Sequence, residues 1–189
     1  NETTASMAAV ASLRAIRTAG IDPDDIDLII LATLTPDYWM PSTAALVQEA
    51  IGNTRAAAMD IAAACSGFVY AFATAQAYIA SGIAKHVLVI GAELLTRFLD
   101  YTDRSTCILF GDGAGAVVMS ASDEPGGALG TWKVTISSGG ALSTQFCERV
   151  VLAPGIQFDG VPETSNPAAR ATILHAWHAG AQTEQLRQQ

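Results

Sequence analysis

The sequence predicts an α/β fold over residues 1–127: a mostly parallel sheet with helices on both faces, followed by an atypical tail at 128–189. Three observations predict it. The runs "LIILATLT" (28–35) and "HVLVIGAE" (86–93) are continuously apolar and rich in β-branched residues, as strands buried on both faces are. Helix-length segments alternate with such runs, which implies parallel strands joined by crossover helices. After the turn "DEPGG" (123–127) the pattern breaks into short β-prone stretches.

Taken in order, residues 3–19 read as a helix, with Val10 and Leu13 on an apolar face, Arg14 and Arg17 on a charged one, and Gly20 as its stop. "DPDDID" is a turn and "LIILATLT" a strand. "TPDYWMPS" is a loop, after which Pro41 opens a second helix closed by Gly52-Asn53. "AAAMDIAAA" (56–64) is a small-residue strand. Residues 66–81 form a third helix, with Phe68, Phe72 and Ile79 on its apolar side and Gly82 as its stop. "HVLVIGAE" is a strand, "LLTRFLDYTDRST" a mixed segment with a charged loop, and "CILFGDGAGAVVMSAS" (107–122) a strand with a glycine break. Beyond residue 127, "WKVTI" and "RVVLA" are β-prone, and 168–188 has the pattern of one amphipathic helix.

Half of the 189 residues are hydrophobic and 15% are charged, so the chain reads as globular, with enough length for a sizeable core. The net charge of −8 argues against nucleic acid and against docking on anionic membranes. Residues 61–84 carry no charge, but Ser66, Gly67, Thr74, Gln76 and Ser81 interrupt them, so a buried strand and helix is expected rather than a membrane span. The three cysteines, Cys65, Cys107 and Cys147, form neither a disulfide framework nor a metal-type pair, which suits a reducing cytoplasm. Asn1-Glu2-Thr3-Thr4 has neither the basic start nor the apolar stretch of a signal peptide, and residue 1 is not Met. A fragment of a cytoplasmic protein is the expectation.

The residue that carries the chemistry question is Cys65, in "DIAAACSGF". Free cysteine is among the most buried residue types, so one reading is a small core side chain. The other is a nucleophile, and three features favour it. Cys65 falls where a strand passes into a helix. That join lies at the C-terminal edge of the sheet, where open α/β folds place ligands. A helix N-terminus also stabilises a thiolate and offers N–H groups to an oxyanion. The small residues around Cys65, Gly67 among them, leave room for a substrate.

Other candidates carry less. Cys107 sits in an apolar strand pattern and is expected to be packing; Cys147 is assigned nothing. "FGDGAGA" (110–116) has G-x-G-x-G spacing and leads into a strand, so it is not a dinucleotide loop, and its glycines are expected to mark close packing or a bend. Glu93, Asp100, Asp103 and Arg104 are expected in a solvated loop with local ion pairs. Asp60, in an apolar strand, is structural and needs a partner if buried. His86 opens a strand away from Cys65. His175 and His178, one helical turn apart, show no third metal ligand.

"DIAAACSGFVYAFATAQAYIASG", "HVLVIGAELLTR", "DYTDRSTCILFGDGAGAVVMSAS" and "EPGG", in this order and spacing, closely resemble β-ketoacyl-[acyl-carrier-protein] synthase III, a thiolase-superfamily condensing enzyme. "DLIILATLTPDYWMPSTAALVQEAIG" fits the same family, so the resemblance covers residues 1 to about 127. It implies a thiolase-like half domain in which Cys65 takes an acyl group from acyl-CoA. Malonyl-[acyl carrier protein] then decarboxylates, and its carbanion attacks the thioester. It implies no cofactor, since acyl-CoA and malonyl-ACP are substrates. It also implies a cytoplasmic homodimer in fatty acid biosynthesis, in which the loop "YWMPS" reaches toward the neighbouring subunit's acyl pocket, with Met40 where an aromatic residue is common.

The family's Pro-His-Gln-Ala-Asn and Asn-Thr-Ser segments have no counterpart in residues 131–189. Asn166 precedes Pro167, and His175 lacks the context. The expectation is therefore a chain that acylates itself without condensing. The alternatives are a polyketide starter or other thiolase-superfamily acyltransferase, a non-catalytic dimerising fragment, and a thiol redox sensor.

Overall fold

A computed structural model describes residues 2–122 and, by backbone alone, strands at 128–132, 135–137, 143–145 and 149–152. The chain divides into two compact units, 1–125 with 131–150, and 126–130 with 151–189. The first holds a four-stranded sheet in the order β2-β1-β3-β4, formed by β1 (Leu28–Ala32), β2 (Ala57–Ile61), β3 (His86–Leu94) and β4 (Asp112–Ser120). Strand β1 pairs parallel to β2 and to β3, while β4 runs antiparallel to β3 over nine residue pairs, from His86↔Ser120 to Leu94↔Asp112. The sheet is therefore mostly parallel, as expected. Of the later strands, β5 (Ala128–Trp132) pairs with β8 (Arg149–Leu152), and β6 (Thr135–Ser137) with β7 (Ser143–Gln145). In the second unit the described residues are the strand residues 128–130 and 151–152. Cys147, Asn166, His175, His178 and the helix expected at 168–188 lie outside the described residues.

Helices cover both faces of the sheet. On one face, α1 (Thr4–Ala19) and α2 (Thr43–Ala50) pack on Ile29, Leu31, Leu88, Ile90 and Ala92. On the other, α3 (Gly67–Ala80) packs on β1 and β3. All five residues of β1 are buried, which explains its unbroken apolar run: each strand face meets a helix layer.

The helices differ from the expectation in detail. Helix α1 begins with a capping box, in which Thr3 Oγ1 accepts the Ser6 N–H at 3.1 Å and Ser6 Oγ accepts the Thr3 N–H at 2.8 Å. It ends at Gly20, whose φ of 70° is the left-handed conformation glycine supplies. Its buried face is Thr4, Ala8, Ala9, Ser12 and Ile16, whereas Val10 and Leu13 are exposed. Small side chains let the helix lie close on the sheet, so the larger apolar residues do not mark its inner face. Helix α2 starts at Thr43 with Ser42 as N-cap; Pro41 stands outside it. In α3 the buried residues are Gly67, Ala71, Phe72 and Ala75.

The glycine block also departs from expectation. Strand β4 runs straight through Gly113 and Gly115, and a Cβ at either would meet nothing within 4 Å. Antiparallel pairing with β3 carries the backbone across, and no close approach by the described residues calls for glycine there. Cys107 lies in turns before β4, half-buried, and Ile108, Leu109 and Phe110 beside it are exposed. Glu93 is not in the charged loop either; it belongs to β3. Asp100 and Asp103 do lie in that loop, where hydroxyls and backbone N–H groups of Thr102, Ser105 and Thr106 bind them. No described helix is long and apolar enough to cross a membrane.

Candidate active site

Strand β2 ends at Ile61, at the C-terminal edge of the parallel strands. The chain then makes a 3-10 turn, Ala64–Ser66, and enters α3 at Gly67. Cys65 is the middle residue of that turn, and it is exposed. The reading of Cys65 as a buried core side chain is therefore excluded, and its place at the strand–helix join is as expected. Ahead of it lie the fourteen residues of α3, whose N-terminal N–H groups and positive dipole end favour an anion. No acidic residue in the first turn competes for them.

Two features fix the turn. Ala64 has φ 48°, the left-handed region that a non-glycine residue occupies at a cost of about 1–2 kcal/mol, and such strain clusters at functional sites. Gly67 presses on β1: a Cβ there would lie 3.1 Å from Ala32 Cβ. One residue on, Phe68 covers Gly91 of β3, where an added Cβ would meet the ring at 3.2 Å. Glycine at both points lets α3 sit down on the sheet, and this seating sets the height of the thiol above the strand ends.

Around this edge lies a polar network that the sequence reading did not find. Glu93 Oε1 accepts the Leu34 N–H at 2.8 Å, and its Oε2 accepts the Thr35 hydroxyl at 2.8 Å. Thr35 Oγ1 in turn accepts the Leu94 N–H at 2.8 Å. Thr35 O accepts from Thr4 Oγ1 at 2.6 Å and from Arg97 at 3.0 Å. Asp37 accepts the N–H groups of Thr4 and Ala5, which open α1, at 3.1 and 2.8 Å, and lies 3.6 Å from the Arg97 guanidinium. Asp60 does the same for α2, accepting from the Thr43 and Ala44 N–H groups at 2.7 Å each, so its expected structural role and partner are both present. Both partner helices are distant in sequence, α1 starting 33 residues before Asp37 and α2 17 before Asp60, so no local signal marks either cap.

Met40 stands at the tip of the loop between β1 and α2, with Tyr38 and Trp39; all three are exposed. His86 begins β3 at the opposite edge from Cys65, and its Nδ1 lies 2.8 Å from Ser120 Oγ. Nearby, Asp27 accepts the backbone N–H groups of Lys85 and His86, at 2.7 and 3.0 Å. The His86 hydrogen bond above all holds the Asp27 carboxyl below its usual value of 3.8; burial opposes it, and a backbone bond from Lys85 and nearby positive charge add to the lowering. No group of three metal-ligating side chains occurs among the described residues.

Comparison with known proteins agrees with this geometry. The family model for 3-oxoacyl-[acyl-carrier-protein (ACP)] synthase III matches residues 59–138, a span that contains Cys65 and β4 and runs past residue 127. β-Ketoacyl-[acyl-carrier-protein] synthase III of Xanthomonas axonopodis pv. citri (strain 306) is 56% identical over 126 residues, covering 67% of this chain and 39% of the relative. The protein of that name from Neisseria meningitidis serogroup B (strain ATCC BAA-335 / MC58) is 50% identical over 167 residues, covering 85% of this chain and 51% of the relative. The crystal structure of 3-oxoacyl-[acyl-carrier-protein] synthase III from Aquifex aeolicus VF5 superposes with a TM-score of 0.69 at 51% identity, over 72% of this chain and 44% of that one. The chain thus spans about half the length, or less, of the relatives it matches. On the sheet order, the Cys65 turn and these similarities, the N-terminal part of the chain is similar to part of the β-ketoacyl-[acyl-carrier-protein] synthase III proteins.

Proposed function

We propose that Cys65 is the acyl-accepting nucleophile of a condensing enzyme of fatty acid synthesis. The observation that carries this reading is an exposed thiol in a strained turn, at the C-terminal edge of a parallel sheet, directly before a fourteen-residue helix. The thiolate attacks the carbonyl carbon of an acyl-CoA. The α3 N-terminus faces the negative charge passed to the carbonyl oxygen, and CoA departs as its thiolate. The product is an acyl thioester on Cys65. In the second half-reaction malonyl-[acyl carrier protein] loses CO2, and the carbanion so formed attacks that thioester. A β-ketoacyl-[acyl carrier protein] leaves and the Cys65 thiolate returns; the histidine and asparagine segments that serve this half-reaction in the family have no counterpart at 131–189, so the first half-reaction is the one read for this chain. Thioester exchange of this kind needs no bound cofactor.

The partners in this reading are acyl-CoA, acyl carrier protein and a second copy of the chain, with no nucleic acid or membrane. The loop bearing Met40 is a candidate wall of the acyl pocket. The exposed Tyr38, Trp39 and Met40, with Ile108, Leu109 and Phe110, support a subunit contact. The acidic balance and the absence of a membrane-spanning helix among the described residues are compatible with a cytoplasmic setting.

The test is incubation with acetyl-CoA followed by intact mass. The expected result is one acetyl group per chain, absent in Cys65→Ala. An unmodified wild-type chain, or an acetyl group retained by Cys65→Ala, refutes the reading.

A further inference from the structure

We draw no further inference here: the strongest candidate, the exposed strip of β4 at Gly113 and Gly115 beside the uncharged outer side of α3, carries nothing, because nothing in the structure shows what covers it.

Discussion

Gly67→Ala tests whether packing holds Cys65 in place. A methyl group on Gly67 would lie 3.1 Å from Ala32 Cβ. Carbon atoms attract best at roughly 3.5–4.0 Å, so the contact is several tenths of an ångström too short. Ala32 cannot give way: it is buried, its strand is paired on both sides, and its side chain has no rotamer to change. The displacement falls on α3 and on the 3-10 turn that carries the thiol. Overpacking of this kind costs about 1–3 kcal/mol. The helix preference of alanine over glycine offsets about 1 kcal/mol. The net loss is about 0–2 kcal/mol, a fall in melting temperature of up to roughly 4–8 °C for a chain of this size. Circular dichroism melts measure it, and the rate of Cys65 alkylation measures the displacement of the thiol. Gly91→Ala is the matched control. Its Cβ would meet Phe68 Cδ2 at 3.2 Å, and that half-buried ring can turn aside. The control is expected to melt closer to wild type and to alkylate within about twofold of it. A Gly67→Ala chain that melts at or above the wild-type temperature and alkylates at the wild-type rate refutes the argument.

Two further outcomes follow from the geometry. Ala64→Gly removes the left-handed strain of about 1–2 kcal/mol and adds a chain-entropy cost of about 0.5–1 kcal/mol, so urea unfolding is expected to show a change within about 1.5 kcal/mol. A loss of more than about 2 kcal/mol would mean that the Ala64 methyl group is itself needed for packing. Asp27→Asn bears on acid stability. The folded carboxyl titrates below 3.8, chiefly because it accepts the His86 N–H, so the fold favours its ionised form. That contribution is complete above pH 3.8 and disappears as pH falls below it through the folded value. The wild-type advantage over Asp27→Asn in urea midpoint should therefore be present at pH 6 and shrink below pH 3.8. A difference that stays constant across this range removes the carboxylate as its source.

The sheet was legible because its signal is redundant. Strand β1 is apolar at every position, and β3 is apolar and fully buried from Val87 to Ile90. The Cys65 turn was legible for a related reason: a small-residue strand, a cysteine and Ser-Gly before an apolar helix leave few other arrangements. Helix faces were harder. In α1 the larger apolar residues Val10 and Leu13 point to water, because close approach to the sheet selects Ala8, Ala9 and Ser12 instead. Cys107 was misplaced because an apolar run, "CILF", resembles a strand, yet here it is a turn with exposed side chains.

The carboxylate network was the least legible part, and the cause is physical. Asp37 and Asp60 receive backbone N–H groups at the starts of helices, and Glu93 receives one from Leu34; backbone donors are the same in every residue and leave no mark in the sequence. A lone acid in an apolar strand says only that a partner is required. Which partner depends on the topology: β2 and β3 flank β1, so the acids near their C-terminal ends reach the chain leaving β1 from both sides. The nucleophile can therefore be read from a short stretch of chain, whereas the groups that hold its surroundings become visible only once the parallel strand order is known. Substitution of Cys65 should abolish acetylation by acetyl-CoA outright, whereas Asp60→Asn and Glu93→Gln should lower the melting temperature, since each weakens a pair of hydrogen bonds that hold the chain leaving β1.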